Sequence, residues 1–127
     1  MIHAYLAPPT GIRWQVDPAE FAYAVSEALP GAVVGEPEED GDGVEVEFDA
    51  RLGGHLVQGK LVLSKIAGEY VAVSAPDALT AAEVLTACRR WVAAGQPAIV
   101  FTEDASTPRP VAADASPAEM AAALTSG

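Results

Sequence analysis

A segment of strictly alternating residues sets the strongest constraint on the fold of this chain. Apolar and charged residues alternate over residues 44–51, a pattern typical of a strand with one buried face and one wet face. Gly53 and Gly54 follow and can form a two-residue hairpin turn, because glycine tolerates positive φ. The turn predicts six cross-strand pairs: Val44–Leu63, Val46–Leu61, Phe48–Gly59, Ala50–Val57, Glu47–Lys60 and Asp49–Gln58. A one-residue slip would break every apolar pair, so the register is strongly specified.

The chain on either side of this hairpin predicts further strands. Residues 66–68 fit a three-residue turn with Gly68 in the left-handed conformation. That turn places Leu63 opposite Val71, Leu61 opposite Val73, and Lys65 opposite Glu69. Residues 44–75 therefore form an antiparallel meander. Residues 32–36 predict a strand before it, joined through an acidic loop. Residues 97–102 and, more weakly, residues 2–6 predict two others.

Three helices are predicted from capping signatures. Asp17, Thr80 and Ser116 are each followed three positions later by glutamate, the spacing of a capping box. The predicted helices cover residues 18–29, 81–94 and, for a short C-terminal helix, 117–125. In the second helix Cys88 lies on an apolar stripe and is expected to be buried. The neighbouring Arg89 and Arg90 are expected on a solvated face near the helix C-terminus.

The element order (β)-α-β-β-β-β-α-β, followed by the short C-terminal helix, defines the predicted fold class. It is an α+β fold in which an antiparallel meander sheet of about four to six strands is packed on one face by two helices. We predict one α+β domain over residues 1–104. Residues 105–127 are predicted to form a proline-containing linker and the short helix.

Composition and charge exclude several classes of function. The single cysteine, Cys88, excludes an internal disulfide, and with only two distant histidines there is no zinc site of the usual spacing. The N-terminal residues lack the pattern of a signal peptide, and no run of about 18 apolar residues occurs. A net charge of −11 disfavours binding to nucleic acid or to anionic lipid. We therefore expect a cytoplasmic protein that binds neither nucleic acid nor a membrane.

Two motif-like segments do not support a cofactor or a metal. Residues 54–60 match the spacing of a phosphate-binding loop, but Leu61 occupies the position where serine or threonine must meet Mg²⁺. Residues 38–49 approach a calcium-binding loop, but its first and last ligand positions are reversed and no helices flank it. We predict no cofactor and no metal site. No nucleophile–base combination is evident either, so a catalytic role is not expected.

The distribution of charge indicates where a binding site would lie. Residues 1–50 hold eleven acidic residues and one basic residue, whereas residues 51–127 hold seven and six. A concentration of like charge favours a partner of the opposite charge. Tyrosine is enriched at the cores of interfaces, which adds Tyr70 to the acidic residues. The predicted partner-binding residues are Glu36, Glu38, Glu39, Asp40, Asp42, Glu45, Glu47, Asp49 and Tyr70.

The function predicted from the sequence is that of a non-catalytic cytoplasmic protein-binding module whose acidic loop and sheet face dock a basic protein partner. The element order, size and acidity are similar to those of small acidic secretion-chaperone-like domains and of immunity proteins that block basic toxins. This likeness concerns the fold alone. One alternative is a small-molecule-binding protein or small enzyme, with a pocket between sheet and helices lined by Trp14, Tyr5, Trp91 or Phe101. Another is a homodimer in which residues 97–102 or 2–6 pair across the dimer axis.

Overall fold

The computed structural model describes residues 1–29, 31–66, 68–91, 96–103 and 107–125, without the side chain of Asp40. These residues form eight strands and three helices. The strands are β1 (Ile2–Ala7), β2 (Val33–Val34), β3 (Glu38–Asp40), β4 (Gly43–Leu52), β5 (His55–Ser64), β6 (Gly68–Ala75), β7 (Ile99–Thr102) and β8 (Arg109–Pro110). The helices are α1 (Pro18–Ala28), α2 (Ala78–Trp91) and α3 (Pro117–Thr125).

All the strands belong to one antiparallel sheet, which confirms the predicted α+β class. The strand order is β2-β4-β5-β6-β1-β7-β8, and β3 pairs with β4 beside β2. The strand count exceeds the predicted range, because β2, β3 and β8 are only two or three residues long. Such short edge strands lack the alternation that identifies a strand in a sequence. Short, charged or proline-containing edges also protect a sheet against pairing with other chains.

The hairpin of β4 and β5 has the predicted register. All six predicted pairs are present, including Phe48 opposite Gly59 and Glu47 opposite Lys60. Gly53 and Gly54 form the turn with φ values of 57° and 82°. Gly59 is required by packing, since a Cβ atom there would lie 2.3 Å from Cζ of Phe48. The Phe48 ring therefore covers the backbone of the neighbouring strand.

The predicted register between β5 and β6 is wrong by two residues. Leu61 lies opposite Val71, and Leu63 lies opposite Glu69. The pairing continues to Ser64 opposite Gly68, so Gly68 (φ 86°) is the first residue of β6 rather than the last of the turn. The predicted turn includes residue 67, which lies outside the described residues. A shift of two keeps every side chain on its predicted face, because side chains alternate along a strand.

The strand predicted most weakly, β1, lies inside the sheet. It pairs with β6 on one side, for example Leu6 with Val71, and with β7 on the other, for example Leu6 with Val100. Residues 4–6 are paired on both sides, so this strand cannot pair across a dimer axis as the homodimer hypothesis required. In β7, Ile99 and Val100 are already paired with β8.

Two of the three predicted helix starts are correct. The Asp17 carboxylate accepts from the amides of Ala19 and Glu20 at 2.9 and 3.1 Å. Ser116 and Glu119 form the reciprocal capping box of α3, with both bonds at 3.1 Å. The second helix starts three residues earlier than predicted, because the carboxylate of Asp77 accepts from the Thr80 amide at 2.8 Å. The predicted end of this helix at residue 94 lies outside the described residues.

The core lies between the sheet and the helices. Val46, Leu61 and Val71 are fully buried on the face that α1 and α2 cover, together with Phe21 and Val25 of α1. The C-terminal helix belongs to the same buried cluster, in which Met120 and Leu124 are 0% and 2% exposed. The predicted domain boundary between residues 104 and 105 falls outside the described residues.

Arg89 departs from the sequence prediction of a solvated side chain. It is 3% exposed, and its Nε donates to the carbonyl oxygen of Val111 at 3.3 Å. Arg90 is exposed as predicted. A buried guanidinium requires hydrogen-bond acceptors. Val111, in the segment that leads to α3, supplies one of them.

Candidate functional site

The sheet has an inner face, which packs against the helices, and an outer face, on which the described helices do not pack. The inner side chains of β4, β5 and β6 are mostly buried, and the outer ones are exposed or half-buried. The described side chains of the outer face are those of His3, Tyr5, Ala7, Val33, Glu38, Glu45, Glu47, Asp49, Arg51, Leu56, Gln58, Lys60, Val62, Ser64, Tyr70, Ala72, Ser74, Ile99, Phe101 and Pro110. The candidate site lies on this face.

Four carboxylates form what we call the acidic half of the outer face: Glu38, Glu45, Glu47 and Asp49. Register places Glu38 directly opposite Glu45, although like charges in this position destabilise a sheet. Lys60 lies opposite Glu47 but forms its ion pair with Glu45, at 3.3 Å. The hydrogen bond from Lys60 to Glu45 raises the pKa of Lys60. One of the four carboxylates is therefore compensated by a lysine.

The other three carboxylates of the acidic half have no such compensation. Within the described part of the chain, no ion pair involves Glu38, Glu47 or Asp49. All three side chains are exposed. Lys60, which lies opposite Glu47, relieves part of their mutual repulsion, and solvent and salt screen the remainder. A cationic ligand bound here would lower the energy of this surface further.

The predicted acidic loop is largely a strand. Glu38, Glu39 and Asp40 form β3, which pairs with β4 and ends in a tight turn at Gly41 and Asp42. No alternation of apolar and polar residues identifies this strand, because Glu38, Glu39 and Asp40 are all charged. A strand fixes which side chains share a face, so the loop cannot present all its carboxylates together.

The structure consequently separates the nine predicted partner-binding residues. Glu38, Glu45, Glu47, Asp49 and Tyr70 share the outer face. The others do not join them: Glu39 lies opposite Val44 on the inner side, Glu36 and Asp42 lie outside the paired positions, and the side chain of Asp40 lies outside those described.

Aromatic side chains occupy the other half of the outer face. The rings of Tyr5 and Phe101 stack with their centres 5.2 Å apart and 18° between their planes. Tyr70 contacts Tyr5 edge to face at 6.3 Å. These three rings, with Pro8, Pro9, Ile12 and Ile66, line an open groove of about 690 Å³, which we call the aromatic groove. Ile12 and Ile66 are 45% and 79% exposed, so its rim is apolar and open to solvent.

A buried glutamate holds the loop that forms one wall of the aromatic groove. Glu69 is 7% exposed. Its carboxylate accepts from Arg13 Nη2 at 3.0 Å and from the backbone amide of Trp14 at 2.9 Å. The Trp14 indole donates to the carbonyl oxygen of Pro97 at 2.9 Å. The loop before α1 is thus fastened at two points to the strands and turns below it.

Glu69 is a residue whose role the sequence interpretation missed. The predicted register put it opposite Lys65 at a hairpin end, whereas it is an inward residue of β6 in line with Val71 and Val73. The alternation of residues 69–75 was the available signal. A charged residue at an inward position indicates a buried partner, because an unpaired buried charge is costly.

A trough of about 260 Å³ lies between the acidic half and the strand that carries Tyr5. Its lining includes Glu47 and Asp49 on one side and Ala72 and Ser74 on the other. Lys60 lies between them. The small side chains of Ala72 and Ser74 leave the trough open, so a bound chain has space to run from the acidic half toward the aromatic groove.

The alternative hypothesis of a pocket between sheet and helices requires residues that the fold separates. Tyr5 and Phe101 lie on the outer face. Trp14 is 5% exposed in the core, and Trp91 packs against Phe21 on the helix side, with the ring centres 5.7 Å apart. These four residues therefore do not line a common pocket between the sheet and the helices.

Cys88 has the environment of an inert thiol. It is completely buried, as predicted, and burial raises its pKa to about 12. At neutral pH the side chain is therefore a protonated thiol, and the thiolate is the nucleophilic form. Within the described residues, no group of three or more His, Cys, Asp and Glu side chains is placed to hold a metal ion.

Among the described helices, none combines the length and apolar character needed to cross a membrane.

Comparison with known proteins adds no family to this description. No protein-family model, no curated protein and no solved structure matches the chain.

Proposed function

We propose that this protein is a non-catalytic protein-binding module that docks a basic segment of a partner on the acidic half of its outer face. One observation carries the proposal: an uncovered sheet face presents Glu38, Glu47 and Asp49 with no ion pair among the described residues. Because the helices in the described part of the chain cover the inner face and not the outer one, a partner can reach these carboxylates without any rearrangement of the fold.

The physical basis is electrostatic. Lysine and arginine side chains of a partner would replace solvent as the counter-charge of three neighbouring carboxylates. A net charge of −11 would also attract a basic partner over long distances and raise the association rate. Both effects weaken as salt increases, since the screening length falls to about 8 Å at physiological ionic strength.

The cytoplasm is the compartment we propose for this interaction. The chain has a single cysteine, and its thiol is free and buried. A protein without disulfides suits a reducing compartment.

Neutralising the acidic half while keeping its shape tests the proposed function. The site variant is Glu38→Gln, Glu47→Gln and Asp49→Asn combined. Glu45 stays unchanged because it pairs with Lys60. The control variant is Glu27→Gln, Glu39→Gln and Glu83→Gln, which removes the same charge from exposed positions elsewhere.

Partner capture from a cell lysate at low salt should separate the two variants. We expect the site variant to lose basic proteins that the wild type and the control variant both retain, and high salt to release them from the wild type. Equal capture by the site and control variants would show that net charge alone is responsible, and the proposed function would then be wrong.

A further inference from the structure

We infer that the docked segment also carries an apolar side chain that occupies the aromatic groove. The lysine or arginine of the same segment lies toward the acidic half. It is three or four residues from the apolar side chain along an extended chain. This inference rests on the proposed function and adds to it the chemistry of the partner. The ligand is an extended basic peptide with one apolar anchor.

The aromatic groove has the properties of an anchor site. Its volume of about 690 Å³ lies within the range of about 300–1,000 Å³ that is usual for ligand sites. Tyr5 and Phe101 stack on each other and Tyr70 supports them from the edge. Glu69 fastens the loop that carries Ile12. A groove held in this way loses little conformational entropy on binding.

Strand register gives the spacing between the two subsites. Glu45 and Tyr70 lie in one row across the sheet, separated by Val62. At about 4.8 Å per strand, they are about 10 Å apart. Glu47 and Tyr5 lie in the next row, three strands apart, or about 14 Å. An extended peptide advances about 3.3–3.6 Å per residue, so about three residues cover the shorter distance and about four cover the longer one.

Charge determines the order of the basic and apolar residues. Arg13 and Lys65 line the loop end of the aromatic groove. Arg13 is paired with Glu69. Lys65 adds a positive charge at this end of the groove, so a second basic residue of the ligand on this side of the anchor is disfavoured. The acidic half lies across the trough. The basic residue of the ligand therefore lies only on that side of the anchor.

A second copy of this chain is a poor occupant of the groove. Each copy carries a net charge of −11, and association would bring two such charges together. A basic peptide removes this penalty, because its charge is opposite to that of the acidic half.

Selection from a random-peptide display library on the full chain at low salt tests the inference. We expect the enriched peptides to carry lysine or arginine three or four positions from an aromatic or aliphatic residue. A selected peptide should bind about tenfold more weakly to the Ile12→Ser, Ile66→Ser variant, because each 1.4 kcal/mol of lost apolar contact is a factor of ten. Both side chains are exposed, so the variant keeps the core intact.

A matched variant removes exposed apolar side chains elsewhere. Tyr23→Ser and Leu79→Ser alter residues that are 69% and 56% exposed and lie on the helices, outside the groove and away from the outer face. This control should bind the selected peptide as tightly as the wild type does. The site variant (Glu38→Gln, Glu47→Gln and Asp49→Asn) should not bind it.

The other outcomes are distinguishable. Enriched peptides that are basic but have no spaced apolar residue, with binding unchanged by Ile12→Ser and Ile66→Ser, would overturn the anchor and leave the proposed function standing. Enriched peptides that lack basic residues would overturn both. A concentration-dependent dimer in light scattering that the same two substitutions abolish would assign the groove to a second copy and overturn the anchor.

Discussion

Carboxylates on the two faces of the sheet lie in opposite environments. On the inner face Glu69 is 7% exposed, and its two oxygens accept hydrogen bonds from Arg13 and Trp14. On the outer face Glu47 and Asp49 are exposed and have no ion pair within the described residues. The buried charge is satisfied internally and contributes to structure. The exposed charges remain available to a ligand.

The two faces differ in packing as well. On the inner face Phe48 fills the space above Gly59 completely. On the outer face small residues such as Ala72 leave an open trough. The same strands therefore provide a close-packed core on one side and an accessible surface on the other. The four predictions below test this contrast, in order of decreasing expected effect.

The largest expected effect is on the stability of the inner face. Leu61→Ala removes a side chain that is 1% exposed and should lower the free energy of unfolding by about 2–5 kcal/mol, through lost burial and the cavity left behind. Val62→Ala, at the neighbouring outer position, should cost clearly less. Urea denaturation measures both. Equal losses would mean that the faces do not differ in packing.

The hydrogen bonds of the buried Glu69 should contribute to the stability of the fold. Glu69→Leu leaves the Trp14 amide without its acceptor and should lower the free energy of unfolding by about 1–3 kcal/mol. Glu69→Gln keeps an acceptor oxygen and should lose less. If denaturant titrations gave the leucine variant the stability of the wild type, the role assigned to Glu69 would be wrong.

A single added methyl group should be costly on the inner face of β5 and tolerated in the open turn between β3 and β4. In Gly59→Ala the new Cβ would lie 2.3 Å from the Phe48 ring, which should cost about 1–3 kcal/mol by overpacking. Gly41→Ala is the matched control, since nothing lies within 4 Å of its Cβ position. Thermal unfolding of both variants should show a lower midpoint for Gly59→Ala alone.

The smallest expected effect concerns the ion pair of the acidic half. Glu45→Gln removes the main cause of the raised pKa of Lys60, so that pKa should fall toward 10.5. The chain has two lysines, and NMR titration of the side-chain signals can follow Lys60 with Lys65 as reference. An unchanged Lys60 titration would contradict the pairing.

The sign of the accompanying stability change follows from the direction of the pKa shift. A lysine pKa raised by folding adds stability below 10.5, and this stability is lost as pH rises through the raised value. In the Glu45→Gln variant, less stability should be lost as the pH rises through this range. The overall change in stability is expected to be slight, because both side chains are about 40% exposed.

The parts of the fold that the sequence predicted correctly are those fixed by local chemistry. Strict alternation and a Gly-Gly turn determine the register of β4 and β5. The Asp17 and Ser116 caps determine where α1 and α3 begin. At α2 the capping-box spacing pointed to Thr80, whereas Asp77, three residues earlier, caps the helix. Local signals of equal quality cannot be ranked without tertiary contacts.

The candidate site was predicted only in part, for a related reason. Alternation placed Glu45, Glu47 and Asp49 on one wet face, and the structure agrees. The aromatic groove depends on neighbours distant in sequence, because Tyr5 meets Phe101 only when β1 lies beside β7. No local pattern in the sequence encodes this proximity. The burial of Glu69 depends likewise on distant residues, because its partners Arg13 and Trp14 come from a loop more than fifty residues earlier in the chain.

The interior position of β1 has a consequence for how the chain folds. The hairpins β4–β5 and β5–β6 join residues that are close in sequence, so they can form early. Ile2 pairs with Ala75, and Ala4 pairs with Thr102, so β1 must wait for partners that come much later in the chain. Closing such long loops slows folding. During synthesis on a ribosome, β1 can therefore pair with β6 only after the meander has emerged, and the aromatic groove is complete only after Phe101 of β7 has followed.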